Sequence, residues 1–243
     1  MAERKFNTAG PGNPAEHYCI DPLSRVDWPD VRNLIDEKRY FVLHAPRQTG
    51  KTTTLLEIMG TLNAEGRYAC VYANIEAGQA AGGDATQGMP TVAGDIAASI
   101  DLYTPGLSME DWLYGTGDRV PPQRRVSGLL SHWARIAGRP AVLLLDEVDA
   151  LVGDTLISLL RQIRSGYAAR PAAFPQSVVL CGVRDVRDYR MTSPGGEVVT
   201  GGSAFNIKTK SLRLGDFTEA EVRELYGQHT RETGQRVDAD FFP

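Results

Sequence analysis

Residues 40–59 read "YFVLHAPRQTGKTTTLLEIM". A short apolar run ends near Ala45. A loop of Pro46, Arg47, Gln48, Thr49 and Gly50 follows. Lys51 then heads a stretch with Leu55, Leu56, Ile58, Met59 and Leu62 at helical spacing, and Gly66 is a plausible stop. Strand, tight loop and helix in this order constrain the chain more than any other feature, because the helix must pack back on the sheet that the strand belongs to. The rest of the chain repeats the alternation. Strands are expected at 67–76, 140–151 and 176–185, and a last short strand within 205–217. Helices are expected at 26–39, 91–103, 121–138, 154–170 and 218–234, the last opening with a Thr–x–x–Glu cap. Residues 77–90, the linker before 121 and residues 191–204 read as irregular. Continuous apolar strands such as "AVLLL" (141–145) suit a parallel sheet covered on both faces, so the fold class is α/β.

The loop carries the first chemistry. Backbone N–H groups at a helix start, backed by the helix dipole, hold phosphate. Ala45-Pro46-Arg47-Gln48-Thr49-Gly50-Lys51-Thr52, followed by Thr53, has the P-loop spacing. Gly50 stands where the backbone comes close to phosphate, Lys51 would reach the β/γ-phosphates, and the Thr52 hydroxyl would ligate Mg²⁺. The usual first glycine is Ala45 here, which fits only if that position keeps a negative φ. The bland alternative is an ordinary strand–helix loop.

The second element is a carboxylate at a neighbouring strand end. In "AVLLLDEVDAL" (141–151), Asp146 emerges where α/β sheets place ligands. Asp146 would hold Mg²⁺ through water, and Glu147 would orient and polarise an attacking water. Adjacent acids at a buried strand end repel unless a cation is near. The alternative is a solvated acid pair.

Together these motifs, with one strand between them and a glutamate after the aspartate, resemble the ASCE division of P-loop ATPases. "LLLDEVDAL" and "APRQTGKTTTL" resemble the bacterial and archaeal AAA-like ATPases, of AAA+ or STAND type, and the Orc1/Cdc6-like branch among them. The resemblance covers most of residues 18–234. It implies a P-loop NTPase three-layer α/β/α sandwich with a mainly parallel five-stranded core sheet, and Mg²⁺ and ATP as cofactors. ATP is favoured over GTP because an Asn-Lys-x-Asp guanine loop is absent. The resemblance also implies a γ-phosphate sensor at Arg184, whose alternative is a surface partner for Asp185 or Asp188. Arg187 and Arg190 are weaker candidates for fingers into a neighbouring subunit. In such proteins the stretch matching "EHYCIDPLSRVD" (16–27) lies over the adenine, which implies Tyr18, Ile20 and Pro22 as its surface. Plain packing of an arm is the alternative. The organisation implied is a flexible arm at 1–17, the ATPase core at 18–217 and the start of a helical lid at 218–243, either truncated or complete as a single helix.

Composition sets the outer bounds. The chain has 243 residues, 42% hydrophobic and 23% charged, with a net charge of -4, which is ordinary for a globular domain and argues against nucleic-acid binding through overall charge. Cys19, Cys70 and Cys181 form no ligand spacing, and the latter two sit in apolar runs as small hydrophobes. The start has no signal-peptide core and no run approaches the length of a membrane span, so a cytoplasmic protein is expected. Three functions stay open: an ATPase that switches a partner or attached domain, a nucleotide-dependent interaction module with little turnover, and a DNA-associated AAA+ protein. The arginines of "PPQRRV" (121–126) with Arg161, Arg164 and Arg170 are the basic clusters, read as solvated faces. A homo-oligomer is compatible with all three.

Overall fold

The computed structural model describes residues 4–115, 119–185, 190–192, 198–200 and 206–235. The elements are, in chain order, α1 (Trp28–Asp36), β1 (Tyr40–His44), α2 (Lys51–Ala64), β2 (Ala69–Asn74), α3 (Ala85–Tyr103), α4 (Met109–Gly115), α5 (Pro122–Ile136), β3 (Ala141–Asp146), α6 (Gly153–Ser165), β4 (Ser177–Gly182), β5 (Arg190–Thr192), β6 (Val198–Thr200), β7 (Lys208–Arg213) and α7 (Glu219–Thr233). Helix starts follow local chemistry. The Asp27 carboxylate accepts from Asp30 N–H at 3.0 Å to cap α1, and Thr218 and Glu221 close a full capping box on α7.

Five strands form one sheet in the order β2-β3-β4-β1-β7, and every pairing within it is parallel. Side-chain alternation builds two cores. Tyr40, Val42, Val71, Leu143, Leu145, Val178 and Leu180 face α3, α5 and α6, around the fully buried Trp133. Phe41, Leu43, Cys70, Val142, Leu144, Val179 and Cys181 face α1 and α2. This is the three-layer α/β/α sandwich expected from sequence.

The same alternation aims the site. Asp146 shares the parity of Val142 and Leu144, so the pleat turns it toward α2. Register aligns the strand ends, with Asn74 opposite Asp146 and His44 opposite Gly182. The C-terminal edge therefore carries the ends of β1, β2, β3 and β4 side by side, where ligands bind in open parallel sheets.

Four segments differ from expectation. Residues 77–90 are not a plain loop: Glu76–Ala81 is a 3₁₀ turn, and α3 begins at Ala85, capped by Asp84 accepting from Thr86 N–H at 2.8 Å. Periodicity fails there because the contact is made by small residues. A Cβ on Gly88 would lie 2.5 Å from Thr155 Cγ2, so glycine is what lets α3 approach α6. Pro90 lies inside α3. The linker before α5 contains the short α4, and 190–192 pairs antiparallel with 198–200. The strand expected over 140–151 ends at Asp146, and Val148–Ala150 is a 3₁₀ turn.

Replacing Gly88 by alanine is expected to overpack this crossing. Helix propensity favours alanine by about 1 kcal/mol, but the clash with the fully buried Thr155 outweighs it, for a net loss of ~1–2 kcal/mol in urea unfolding. The double substitution Gly88→Ala, Thr155→Ala should recover part of the loss, and no recovery would show that the contact is not the cause.

Candidate nucleotide site

The loop between β1 and α2 owes its shape to three backbone positions. Gly50 lies at φ 85° as the cap of α2 and has no side chain to offer the first helical amides. Gln48 takes φ 59°, a left-handed conformation uncommon outside glycine. Ala45 is absent from the positive-φ residues, so the condition that alanine imposes is met. Ala45 is fully buried, and its N–H donates to Gly182 O at 3.2 Å.

Lys51 is buried, and its Nζ donates to the carbonyls of Ala45 (3.1 Å) and Pro46 (3.0 Å). The Thr52 hydroxyl donates to Asp146 Oδ2 at 2.7 Å. Asp146 is fully buried, and its carboxylate also accepts from Tyr72 OH (3.2 Å) and from Glu147 N–H (2.9 Å). Three donors on one carboxylate are what a buried charge requires. Thr52 and Asp146 thus offer two hard oxygen ligands side by side, the donor set Mg²⁺ takes when substrate phosphates supply the rest.

Beyond the strand end, Glu147 adopts φ 57°. Such strain in a non-glycine residue persists only where the surroundings impose it. Burial first, and then Asp146 and Asp149, push its carboxyl pKa up. Asp149 faces the end of β4. Its Oδ1 accepts from Val183 N–H at 3.1 Å, and a Cβ on Gly182 would stand 2.5 Å from that oxygen.

A cavity of about 700 Å³ opens over the loop. It is lined by Arg47 to Thr54, by Glu147, by Tyr18, Ile20 and Pro22, and by Arg25 and Phe217. Tyr18 is buried, with its ring 5.1 Å from that of Phe6 and 5.4 Å from that of His229. Residues of the arm contribute a wall, and Gly12 N–H donates to Thr53 Oγ1 at 2.9 Å. Arg184, two residues past β4, is exposed and does not line this cavity. Arg187 and the Arg190 side chain lie outside the described residues. A larger groove of about 1200 Å³ is lined by residues of α5 and α6, Arg124 and Arg161 among them, and among the described residues Asp154 is the one acid in that lining.

Sequence reasoning missed several side chains that complete the site. Tyr72 on β2 and Cys181 on β4 both neighbour Asp146. Burial, then Asp146, pushes the Tyr72 phenol and the Cys181 thiol up. Arg25 reaches the loop from the N-terminal segment. Strand parity could have found Cys181 and Tyr72, which pairs with Leu144 on β3, whereas no local pattern marks Arg25.

No protein-family model and no curated protein matches the chain. Solved structures match it in fold. A Walker-type ATPase of Pyrococcus abyssi aligns with TM-score 0.55 and 14% identity over 96% of this chain and 64% of that one. Cdc6p from Pyrobaculum aerophilum aligns with TM-score 0.51 and 18% identity over 87% and 51%. AMPPCP-bound DnaA from Aquifex aeolicus aligns with TM-score 0.51 and 14% identity over 91% and 56%. The chain therefore has the fold of the AAA+ P-loop ATPases, and it spans from 51% to 64% of the length of these three proteins. Among the described residues no helix is long and apolar enough to cross a membrane.

The raised pKa of Glu147 has a sign that stability can test. The folded state holds this proton more tightly than the unfolded chain does. The cost of ionising Glu147 is fully present above its raised folded value, and it disappears as pH falls below the unfolded carboxyl value of about 4.3. Glu147→Gln is therefore expected to raise the melting temperature at neutral pH, with the gain shrinking toward zero near about pH 4. A pH-independent difference, or a loss at neutral pH, would contradict the assignment.

Proposed function

We propose that the chain binds Mg·ATP over residues 45–53 and hydrolyses it to drive a conformational change in a partner or an attached domain. The observation that carries this reading is the 2.7 Å hydrogen bond from Thr52 to the buried Asp146, which joins the phosphate-type loop to a carboxylate at the strand end. The fold supports it, as does the AMPPCP-bound neighbour.

Each residue then has a role. Backbone N–H groups from Arg47 to Thr53 surround the phosphates, with Ala45 and Pro46 setting the turn. Lys51 exchanges its two loop carbonyls for phosphate oxygens. Thr52 and Asp146 hold Mg²⁺, which when bound neutralises charge on the phosphates. Glu147, held in its strained conformation beside the cavity, positions and polarises the attacking water. Its raised pKa brings its proton affinity closer to what a base near neutral pH needs. Tyr18 and Ile20 give the adenine an apolar wall. Arg184 is the least supported of the set, since reaching a γ-phosphate requires its side chain to turn in from solvent.

That exposure favours a second reading, a nucleotide-dependent interaction or DNA-associated module with little turnover. Steady-state phosphate release separates the two. With hydrolysis, Glu147→Gln is expected to keep Mg·ATP affinity and lose about 10²-fold or more in turnover. Wild-type protein that binds Mg·ATP without releasing phosphate supports the second reading. Equal turnover in Glu147→Gln moves the role to another residue, with Asp149 next to test.

Binding itself is tested at Lys51 and Asp146. Lys51→Ala is expected to weaken Mg·ATP binding at least ~10-fold, the size of a charge-assisted contact. Asp146→Asn should weaken binding more with Mg²⁺ than without it. Unchanged affinity in Lys51→Ala measured by titration calorimetry would sink the site.

A further inference from the structure

The C-terminal helix α7 has 15 residues and no buried side chain. A helix of that length is marginal in water by itself, so its seat depends on a few polar and aromatic anchors. One group of anchors reaches the N-terminal arm. Gln228 Nε2 donates to Cys19 O at 2.7 Å, Arg4 pairs with Glu232, and the rings of Tyr226 and Phe6 are 5.0 Å apart. The other group runs through two adjacent residues, Ser24 and Arg25, and it ends on the phosphate-type loop.

Ser24 Oγ donates at 2.7 Å to Glu221, the acid of the α7 capping box. Arg25 is 8% exposed. Its Nε and Nη2 both donate to Gly215 O, at 3.0 and 2.5 Å, and its own carbonyl accepts from Gly215 N–H at 2.8 Å. Gly215 lies between β7 and α7. The other side of the guanidinium donates from Nη1 to Thr49 O at 2.5 Å. Its Cζ stands 4.1 Å from the centre of the Phe217 ring. The fit is close on both sides: a Cβ on Gly50 would be 3.1 Å from Nη1, and a Cβ on Gly215 would be 3.2 Å from Arg25 O.

We propose that Arg25 is a positioning residue that couples the loop to the seat of α7. It fixes the Thr49 carbonyl, and with it the peptides leading through Gly50 to Lys51. The same planar group fixes Gly215, where the chain turns toward α7. A rigid fork with donors on several sides can serve both carbonyls at once, whereas a lysine is a flexible point charge. Burial makes the arrangement stiff, because a guanidinium that loses either partner leaves desolvated donors unpaired. Phosphate held by the loop then steadies α7, and loosening α7 weakens the hold on phosphate by the same factor. This coupling rests on the nucleotide reading of the loop for its ligand, though not for its mechanics.

Hydrogen exchange of the full chain tests it in two arms. Without nucleotide, Ser24→Ala removes the contact to the α7 cap together with a local bond to Asp21 O at 2.7 Å, and leaves the Arg25 side chain unchanged. Coupling requires faster exchange both in residues 219–224 and in the loop at 47–53, with β3 and β4 unchanged. Faster exchange confined to α7, or spread evenly over the sheet, would overturn the proposal. With Mg·ADP, wild type should gain protection in the loop and in α7. Arg25→Lys should lose most of the α7 protection and about 5-fold or more in ADP affinity, the lower end of ordinary coupling strengths. Protection of the loop alone in wild type would overturn the proposal too. If wild type binds neither ADP nor ATP in calorimetry, the nucleotide reading fails, and the nucleotide-free arm, run with Arg25→Lys beside Ser24→Ala, still decides whether Arg25 couples the two elements: faster exchange in both the loop and α7 supports it, and unchanged exchange in either overturns it.

Discussion

Asp146 is a fully buried carboxylate at the end of the inner strand β3, and the site is arranged around keeping it tolerable. A charge with no partner there would cost several kcal/mol. Thr52, Tyr72 and the Glu147 amide converge on it from α2, β2 and the turn after β3. Each donor comes from a different element, so the one carboxylate fixes the helix, the neighbouring strand and the turn relative to one another. The arrangement stores a tension. Asp146, Glu147 and Asp149 lie close together, burial first and then the other two acids push the Glu147 carboxyl up, and Lys51, which lines the same cavity, is occupied with loop carbonyls. A divalent cation on Thr52 and Asp146, with phosphates on Lys51, relieves that tension, and this is the physical basis of the Mg·ATP reading.

Strained backbone lies in the same place. Gln48 and Glu147, two of the non-glycine residues with positive φ, flank the cavity, and Gly50 sits between Gln48 and Lys51 with φ 85°. Beneath them the strands β3 and β4 are fully buried. A stiff platform can hold strained loops in a single conformation, and preorganised groups stabilise charge without having to rearrange. The C-terminal helix is the opposite case, lightly packed and attached by side-chain anchors, with Arg25 linking the two regimes.

Much of this was legible in the chain. The loop 45–53 was, because its chemistry is local and its flanking strand and helix each carry their own apolar pattern. Asp146 was, because "AVLLL" ends on it abruptly. A parallel sheet followed from the alternation of such runs, and its five-stranded form from the resemblance. What escaped depends on contacts between distant segments. The start of α3 looked like a Gly/Ala-rich loop because its packing against Thr155 needs the absence of side chains, which periodicity cannot register. Arg25 sat unremarked in a polar N-terminal stretch, since its partners are the carbonyls of residues 49 and 215. Arg184 was placed at the cavity by resemblance alone, and its side chain is in solvent.

The most direct measurement of the Mg·nucleotide site is a calorimetric comparison of AMP, ADP and ATP binding to the wild-type chain, each in Mg²⁺ and in chelator. If Lys51 and the loop amides hold phosphates while Thr52 and Asp146 hold the cation, affinity rises from AMP to ADP to ATP. Removing Mg²⁺ then weakens ATP markedly and leaves AMP little changed. Equal affinity for the three nucleotides, or ATP binding indifferent to Mg²⁺, would contradict it.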